Sequence, residues 1–291
     1  MSEISARLFV WLQRLLPKYL LTSLLYGVAR IRRVAIKDFL IRRLVALYDV
    51  DVSELARPVP EGYTSLNDFF TRELAPGARP VDGPAESIVS PVDGTVSACG
   101  HIDRTQIFQA KGRDYSIEDL LATDTVEAEN YIDGAFVTIY LAPYNYHRVH
   151  APFAGRLAAA RYVPGALYSV NEATVQHLSG LFTRNERLIC HIRTGAGPMV
   201  LIFVGATNVG TIHSIWTGDV RPRRGGVVED YRLRQDPTQL EIAKGDLLGW
   251  FNMGSTVILL LPPGVSDAFA GLKAGQRVHV GEAIGRLPAA K

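Results

Sequence analysis

Two histidines in a short polar stretch are the first residues of this sequence that could do chemistry. The stretch Tyr146-His147-Arg148-Val149-His150 directly follows the apolar run 136–141. If the strand continued, His147 and His150 would point to opposite faces, whereas in a turn or a helix they could converge. Such a pair can serve as acid and base or can bind zinc, but a zinc site needs a third ligand nearby. Two structural histidines are the alternative.

A carboxylate in the stretch 90–96, Ser-Pro-Val-Asp-Gly-Thr-Val, is the second candidate. Asp-Gly between two apolar runs is a strong signal for a hairpin, so Asp93 and Gly94 on their own predict a turn. The functional alternative is that Asp93 orients a histidine, as the third member of a set made of a nucleophile, a base and an orienting acid.

A Gly-Ser-Thr step at the start of an apolar run is the third candidate. Gly254-Ser255-Thr256 leads into the run 256–261, which by itself indicates only the beginning of a strand. Gly-Ser also suits intramolecular acyl transfer, in which the serine hydroxyl folds back onto the preceding carbonyl and glycine gives the backbone room to strain. A cut at this step would place the new terminus at the start of a buried strand, where it is held still.

These candidates lie among short β-rich runs that Gly, Pro and Asp separate. Runs this short and this often interrupted predict an antiparallel or mixed sheet. In the body of the chain the sequence predicts helices only at 117–121 and 167–178, and the charged stretch 221–235 is interpreted as a surface loop. The predicted strands are 87–92, 95–99, 134–142, 198–205, 210–216, 256–261 and 277–287.

The first 50 residues differ from the rest in charge. Residues 1–47 carry nine Lys or Arg against Glu3 and Asp38, a net charge of +7, whereas the whole chain carries +2. Pro17 interrupts a first helical pattern, and the longest uncharged run, 19–29, is shorter than the about 20 residues that cross a bilayer. A stripe of apolar residues recurs at the helical spacing of three and four. The stripe consists of Leu8, Trp11, Leu12, Leu15 and Leu16.

This pattern favours amphipathic helices that lie in the membrane interface, with basic side chains on anionic headgroups. A helical unit packed on the body, its basic residues merely solvated, is the alternative. We therefore expect an α+β protein, in which an amphipathic helical membrane-surface segment at 1–50 precedes a β-rich body at 51–291, with antiparallel or mixed sheets.

Composition and missing motifs exclude several classes of protein. The apolar fraction of 47% and the charged fraction of 21% are those of a globular protein. Cys99 and Cys190 lie 91 positions apart, which excludes a disulfide scaffold and a four-cysteine zinc site and favours two buried thiols. The sequence contains no HExxH, GxSxG, Walker or GxGxxG motif. We expect neither a resident metal nor a nucleic-acid partner.

In this order, the motifs resemble those of the phosphatidylserine decarboxylase family over nearly the whole chain. The histidine stretch 146–150 is very similar to the family's histidine block, and 244–256 resembles its cleavage region. Met253 is a small departure, since a leucine often precedes the Gly-Ser-Thr step, but the two side chains are alike in volume and polarity. Further motifs that fit the family are 66–72, 109–112, 115–116, 163–165, 169–171, 185–187 and 204–206.

The resemblance implies a precursor that cuts itself between Gly254 and Ser255. Asp93 would orient the imidazole of His150, which removes the hydroxyl proton of Ser255. The serine oxygen would attack the Gly254 carbonyl to form an ester, and β-elimination followed by loss of ammonia would leave a pyruvoyl group. The products would be a β chain, 1–254, and an α chain, 255–291, which form a heterodimer. Whether two such heterodimers pair stays open.

The resemblance also implies a lyase of phospholipid biosynthesis that converts phosphatidylserine to phosphatidylethanolamine and CO₂. The covalent pyruvoyl cofactor would form a Schiff base with the substrate amine and accept the electrons that CO₂ leaves behind. His147 would protonate the resulting carbanion, a task that suits a side chain with a pKa of about 6.5. A diacyl lipid substrate implies a peripheral protein on the cytoplasmic face of the cell membrane. Arg187 and Lys111 are candidates for contacting the phosphate.

Two other functions were weighed against this one. A zinc-dependent hydrolase would use His147 and His150 as ligands and would contain bound metal. A biotinyl- or lipoyl-like binding module would explain why 91–94 and 275–281 are similar to the two halves of such a sandwich. However, no lysine lies in a suitable exposed hairpin between them, so an attachment point is missing.

Overall fold

The computed structural model describes residues 3–110, 112–207, 211–223, 225–231, 240–252 and 255–287. Within them the chain forms three N-terminal helices, followed by strands that short helices connect. The helices are α1 (Glu3–Leu15), α2 (Lys18–Ala29), α3 (Val34–Tyr48), α4 (Leu66–Phe70), α5 (Ile117–Leu121), α6 (Thr125–Ala128), α7 (Glu172–His177) and α8 (Leu181–Arg184). The strands are β1 (Ser87–Val89), β2 (Gly94–His101), β3 (Gln106–Ala110), β4 (Arg113–Ser116), β5 (Ala135–Leu141), β6 (Arg148–His150), β7 (Gly155–Val163), β8 (Arg187–Thr194), β9 (Gly197–Val204), β10 (Ile212–Ser214), β11 (Gly218–Val220), β12 (Glu229–Tyr231), β13 (Glu241–Ile242), β14 (Leu247–Phe251), β15 (Ser255–Leu261), β16 (Arg277–Val278) and β17 (Ala283–Arg286).

A nine-stranded antiparallel sheet forms the centre of the body, and β15 lies in its middle. The strand order is β12-β7-β8-β9-β15-β5-β2-β16, and β13 also pairs with β7. Every residue of β15 is buried because residues 257–261 form a continuous apolar run, which suits a strand covered on both faces. Thr256 lies opposite Tyr140 of β5 and Val204 of β9, so the start of β15 is held from both sides.

A four-stranded antiparallel sheet, of order β11-β10-β14-β6, holds the histidine stretch. The backbone N–H of Phe251 in β14 donates to the carbonyl oxygen of His147 at 3.1 Å. The ring of Phe251 meets that of Phe203 of the main sheet, with centroids 5.4 Å apart. Phe203 lies opposite Val257, and Ser255 points to the same face as Val257 because side chains alternate along a strand. The histidines are therefore carried by the layer that covers the face of Ser255.

The expected α+β class with antiparallel sheets is confirmed. Helix α5 covers the predicted residues, whereas the predicted helix 167–178 is reduced to α7, because Asn171 caps its start by accepting from the N–H of Thr174 at 3.1 Å. The predicted strand 277–287 is two strands, β16 and β17, separated by a turn in which Gly281 adopts a φ of 85°.

Three other local interpretations were wrong. β7 and β8 were not predicted, although they form part of the main sheet. The stretch 221–235 contains β12, which pairs with β7, so it is not entirely a loop. Asp93 and Gly94 do not form a hairpin turn, since β1 pairs with β17 and β2 with β5 and β16. The bend at Asp93 instead carries the chain from one sheet into another.

Helices α1 to α3 pack on the body through a few buried side chains, polar as well as apolar. The Gln13 side chain donates to Thr174 at 3.0 Å and accepts from the N–H of Ser169 at 2.8 Å, and Ile41 packs with Tyr63 and Phe69 in a small second core. The interruption expected at Pro17 is confirmed, because α1 ends at Leu15 and α2 begins at Lys18. No helix in the described part of the chain is long and apolar enough to cross a membrane.

The large apolar side chains of these helices lie mostly outside. In α1 the side facing the body consists of Ala6, Val10 and Gln13, whereas Leu8 and Leu15 are 53% and 65% exposed. The whole predicted stripe on α1 and just beyond it is exposed in the same way, and so are further apolar residues of α2 and α3. These residues are Trp11, Leu12, Leu16, Leu20, Leu24, Val34, Phe39 and Leu47.

Candidate active site

Ser255 is the first residue of β15 and is completely buried. It lies opposite Leu141 of β5, and its hydroxyl oxygen has no hydrogen-bond partner among the described residues. A cavity of about 180 Å³ is lined by Leu141, the residue opposite Ser255, by Phe70 and, from α3, by Leu44 and Tyr48. The predicted partner in the cut, Gly254, and the preceding Met253 lie outside the described residues. The site therefore contains a buried hydroxyl that is unpaired among the described residues and whose neighbour across the sheet lines a cavity.

His147 is buried in the turn that joins β5 to β6. Its Nδ1 lies 2.8 Å from the carbonyl oxygen of Asn145 and must carry the proton, so its Nε2 is left as a lone pair without a partner. The ring lies 4.2 Å from that of Phe70. Burial, and after it the positive charge of Arg72, lowers the pKa of His147 to about 3. The imidazole is therefore neutral and presents a base at Nε2.

Arg72 is a buried cation beside this histidine. Its Nη2 donates to the carbonyl oxygens of Tyr144 at 2.7 Å and Asn145 at 3.0 Å, so Arg72 and His147 share the Asn145 carbonyl. Its Nε and Nη1 have no hydrogen-bond partner. Burial lowers the pKa of Arg72 to about 10, which leaves the side chain charged at neutral pH. This residue belongs to the motif 66–72 but was not singled out from the sequence.

His150 lies in β6 and has partners on both ring nitrogens. Nδ1 lies 2.8 Å from the carbonyl oxygen of Gly245, and Nε2 lies 3.1 Å from the hydroxyl of Tyr146. Burial raises the pKa of Tyr146 to about 12, so its hydroxyl donates to Nε2. Burial lowers the pKa of His150, and the hydrogen bond to Gly245 and the charge of Asp93 oppose this shift. The side chain is thus a neutral imidazole, and Tyr146 covers its lone pair.

Asp93 is nearly buried, and arginine and backbone donors occupy its carboxylate. Arg79 donates to it from Nε at 3.0 Å and from Nη2 at 2.7 Å, and the N–H of Val280 donates at 2.8 Å. Arg79 also pairs with Glu54 at 2.8 Å. Asp93 is close enough to influence His150 electrostatically, but these two described side chains do not share a hydrogen bond. Nor does His150 share one with Ser255.

Gly94, next to Asp93, lets β2 approach β5 closely. A Cβ at this position would lie 2.5 Å from the carbonyl oxygen of Tyr140, which is closer than real side chains come. Tyr140 in turn lies opposite Thr256. The Asp-Gly step is therefore needed for the spacing of strands beside the site rather than for a hairpin.

Glu186 is a second residue that sequence reasoning did not single out. It is completely buried; the Tyr162 hydroxyl donates to its Oε2 at 2.8 Å, and its Oε1 has no partner. Burial raises the pKa of Glu186 to about 8, so the carboxyl is largely protonated at neutral pH. Glu186 belongs to the motif 185–187, but its neighbours Arg184, Asn185 and Arg187 are polar, so no local signal in the sequence marks it as buried.

Arg187, one of the two residues suggested for contacting the phosphate, is not accessible to a ligand. Arg187 is buried, and its three nitrogens donate to backbone carbonyls, among them those of Leu120 at 2.6 Å and Thr183 at 2.8 Å. The expectation for Arg187 was wrong, because it holds neighbouring loops together instead. Lys111 lies outside the described residues.

The ligand set that a zinc hydrolase would need is not found in the part of the chain that the structure describes. His147 and His150 each direct Nδ1 to a different carbonyl oxygen. Among the described residues, no group of three or more His, Cys, Asp or Glu side chains could hold a metal ion.

Comparisons with known proteins give the family of this chain. A family model described as phosphatidylserine decarboxylase matches residues 66–286, and a second, described as PSD, matches residues 8–49. The chain belongs to the phosphatidylserine decarboxylase family. The first match includes Asp93, both histidines and Ser255, and the second covers most of helices α1 to α3.

Relatives within the phosphatidylserine decarboxylase family match along almost their whole length. A protein of Chromobacterium violaceum is 47% identical over 283 residues, which is 97% of this chain and 99% of the relative. A protein of Acidovorax ebreus is 46% identical over 281 residues, covering 97% and 98%, and one of Methylococcus capsulatus is 43% identical over 285 residues, covering 98% of both. Each is named phosphatidylserine decarboxylase proenzyme.

The raised pKa of Glu186 predicts how stability depends on pH. The carboxyl ionises near 4.5 in the unfolded chain and near 8 in the folded one, so folding becomes less favourable as the pH rises between these values. Glu186→Gln removes the titrating group. We expect the difference in the free energy of unfolding, variant minus wild type, to rise by about 1 kcal/mol per pH unit between pH 5 and 8.

Urea unfolding at several pH values measures this difference. Both chains should carry Ser255→Ala, so that each is expected to stay a single chain and unfold reversibly. Glu129→Gln, which removes an exposed carboxylate, is the matched control and should leave the pH dependence unchanged. If the free energy of unfolding changed with pH equally in Glu186→Gln and the wild type, the conclusion that the buried carboxyl of Glu186 is neutral would be contradicted.

Proposed function

We propose that this chain is a precursor that cuts itself between Gly254 and Ser255 and then converts phosphatidylserine to phosphatidylethanolamine and CO₂ at a membrane surface. The observation that carries the proposal is the buried hydroxyl of Ser255, unpaired at the first position of the central strand. A buried polar group without a partner costs about 1–3 kcal/mol, which a purely structural serine would have no reason to bear.

A pyruvoyl group made from Ser255 fits the same position. Conversion of the side chain to a ketone breaks no hydrogen bond to the described residues, because the hydroxyl makes none with them. Pairing of Ser255 with Leu141 would hold the group still beside the cavity. Once formed, the group supplies a ketone that takes the substrate amine and an electron sink for the loss of CO₂.

His150 and Asp93 are proposed to activate Ser255 during the cut. The lowered pKa of His150 keeps its imidazole unprotonated at neutral pH, as a general base must be. Its Nε2 becomes available when the Tyr146 hydroxyl, now 3.1 Å away, turns aside. Asp93 then favours the imidazolium through its negative charge rather than through a direct hydrogen bond, and Arg79 holds that carboxylate in place.

His147 is proposed to handle the proton of the decarboxylation step. As a neutral imidazole with a free Nε2 it can take up a proton but has none to give at that atom. A negatively charged lipid headgroup beside it would offset the charge of Arg72 and so raise the pKa of His147. Substrate binding would in this way protonate His147, which then gives this proton to the carbanion after CO₂ leaves.

Helices α1 to α3 are proposed to bring the site to the lipid. Their exposed apolar side chains suit burial in the acyl boundary of a membrane, and the net charge of +7 in residues 1–47 suits anionic headgroups. Leu44 and Tyr48 of α3 line the cavity beside Ser255. A headgroup can therefore reach the cavity while its acyl chains stay on the helices.

Variants at four positions test the assigned roles. We expect Ser255→Ala to remain one uncut, inactive chain, and Asp93→Ala and His150→Ala to leave mainly precursor. His147→Ala should still be cut but should decarboxylate more slowly by about 10²–10⁴-fold, the usual value of general acid–base help. Denaturing gels measure the cut, and release of CO₂ from phosphatidylserine measures turnover.

The cut itself serves as the control for correct folding of His147→Ala. Two chains from Ser255→Ala would contradict the cleavage site. If His147→Ala blocks the cut while His150→Ala permits it, the roles of the two histidines are exchanged.

Exposed leucines of α1 test the membrane proposal. Leu8→Gln/Leu15→Gln should weaken binding to anionic vesicles and slow turnover of vesicle substrate, because it removes apolar surface without disturbing the buried side of α1. Val81→Gln/Val126→Gln, at body positions that are 45% and 72% exposed, is the matched control. Sedimentation with vesicles measures binding; equal binding by both variants would make α1 a packing element only.

A further inference from the structure

Two adjacent rows of residues cross the main sheet at the start of β15. Arg187 and Thr256 both lie opposite Val204 of β9. One step further along these antiparallel strands, Glu186 and Ser255 both come opposite Gly205, and the N–H of Gly205 donates to the carbonyl oxygen of Glu186 at 2.9 Å. Because residues opposite each other point to the same face, Glu186 and Ser255 share one face with only a glycine between them.

The carboxyl of Glu186 lies over that glycine. A Cβ at Gly205 would come within 2.6 Å of both Cγ and Oε1 of Glu186. Since neighbouring strands are about 4.8 Å apart, a carboxyl above Gly205 is within reach of the next strand. The space that a side chain at Gly205 would fill is thus occupied by the acid.

The partner of the other carboxyl oxygen fixes the direction of Oε1. Tyr162 of β7 lies opposite Leu188 of β8, and β7 lies on the side of β8 that faces away from Ser255. The Tyr162 hydroxyl donates to Oε2 of Glu186 at 2.8 Å. Oε1 therefore faces away from β7, over Gly205 and towards β15. Among the described residues, neither Oε1 of Glu186 nor Oγ of Ser255 has a hydrogen-bond partner although both are buried, so the two atoms are not yet bonded to each other.

The protonation state makes Oε1 a donor. Burial raises the pKa of Glu186 to about 8, and because Oε2 accepts from Tyr162, the proton of the neutral acid belongs on Oε1. A carboxylic acid kept neutral by an apolar site can donate a hydrogen bond, as neutral acids in oxyanion sites do.

We propose that Glu186 is the hydrogen-bond donor to Oγ of Ser255 during self-cleavage. This inference rests on the proposed function. By donating to one lone pair of Oγ, Glu186 orients the hydroxyl so that its own proton points away, towards the base. The base takes the Oγ proton, and Oγ forms its bond to the Gly254 carbonyl carbon. The carbon–nitrogen bond to Ser255 breaks, and the nitrogen keeps the electron pair and receives the proton from the base.

Glu186 assists the elimination step in the same way. A base removes the Cα proton of Ser255, a Cα–Cβ double bond forms, and the Cβ–Oγ bond breaks. The electron pair of that bond stays on Oγ, which leaves as part of the Gly254 carboxylate. A donor directed at Oγ stabilises the negative charge that develops there.

Two substitutions of equal length separate donation from packing. In Glu186→Gln the amide oxygen can still accept from Tyr162 while the NH₂ group donates towards Ser255, so we expect cleavage near the wild-type rate. Glu186→Met keeps the length but has no donor, and we expect cleavage about 100-fold slower. Labelled precursor from cell-free translation, sampled over time on denaturing gels, gives the rate at which chains of 254 and 37 residues appear.

Gly205→Ala gives an independent test that leaves the acid in place. The added Cβ would displace the Glu186 carboxyl, so this variant should also cut slowly. Val200→Ala, which removes buried methyl groups from the opposite face of the same strand, is the control for lost stability and should cut at the wild-type rate. Melting temperatures of all variants are compared in the Ser255→Ala background, where cleavage cannot interfere.

The outcomes separate this inference from the proposed function. Normal cleavage by Glu186→Met or by Gly205→Ala overturns the role of Glu186. Cleavage by Glu186→Gln as slow as that of Glu186→Met shows that an amide donor does not suffice and overturns the assignment as a simple donor. Cleavage of Ser255→Ala would instead overturn the proposed function itself, whatever the Glu186 variants do.

Discussion

The site depends on one constraint: the hydroxyl of Ser255 is buried in the central strand, and no described residue forms a hydrogen bond with it. Groups of this kind are rare in folded proteins, because the water that they lose must be replaced by a partner. The surrounding structure holds the hydroxyl there all the same. β5 and β9 pair with β15 on both sides, the histidine sheet covers the face of Ser255, and the apolar run behind it fixes the register.

Burial also sets the charge of the groups around that hydroxyl. His147 and His150 are held neutral, and Glu186 is held protonated, since each would lose hydration by ionising. Arg72 keeps its charge without a carboxylate partner, beside His147. The precursor site is therefore poor in negative charge, apart from Asp93, which Arg79 neutralises. An anionic lipid headgroup is the charge that this arrangement lacks.

Local sequence signals predicted the parts of the fold that depend on local physics. Pro17 ends a helix, the run 257–261 forms a buried strand, and residues 117–121 form a helix that Ser116 caps. β7 was not predicted because Ala158, Ala159 and Ala160 give it little β-branched character. It is a strand because it pairs with β8. The hairpin expected at Asp93 does not form, for the same reason. β1 and β2 pair with strands that are distant in the sequence, and these pairings determine the path of the chain at Asp93.

The site could be predicted only as far as motifs reach. Ser255, His147, His150 and Asp93 were proposed from residue type and resemblance, and the histidine stretch belongs to the layer that covers the sheet face of Ser255. Their hydrogen-bond partners come from distant residues, such as Gly245 for His150 and Arg79 for Asp93. No spacing in the sequence encodes these pairs.

The conversion of Ser255 is tested most directly by the intact mass of the small chain from purified protein. Self-cleavage with loss of ammonia predicts a chain that begins at residue 255 and is lighter, by one NH₃, than the same segment with an N-terminal serine. It should also gain mass on borohydride reduction, as a ketone does. A chain with the full mass of an N-terminal serine, or an uncut chain that decarboxylates phosphatidylserine, would contradict the account.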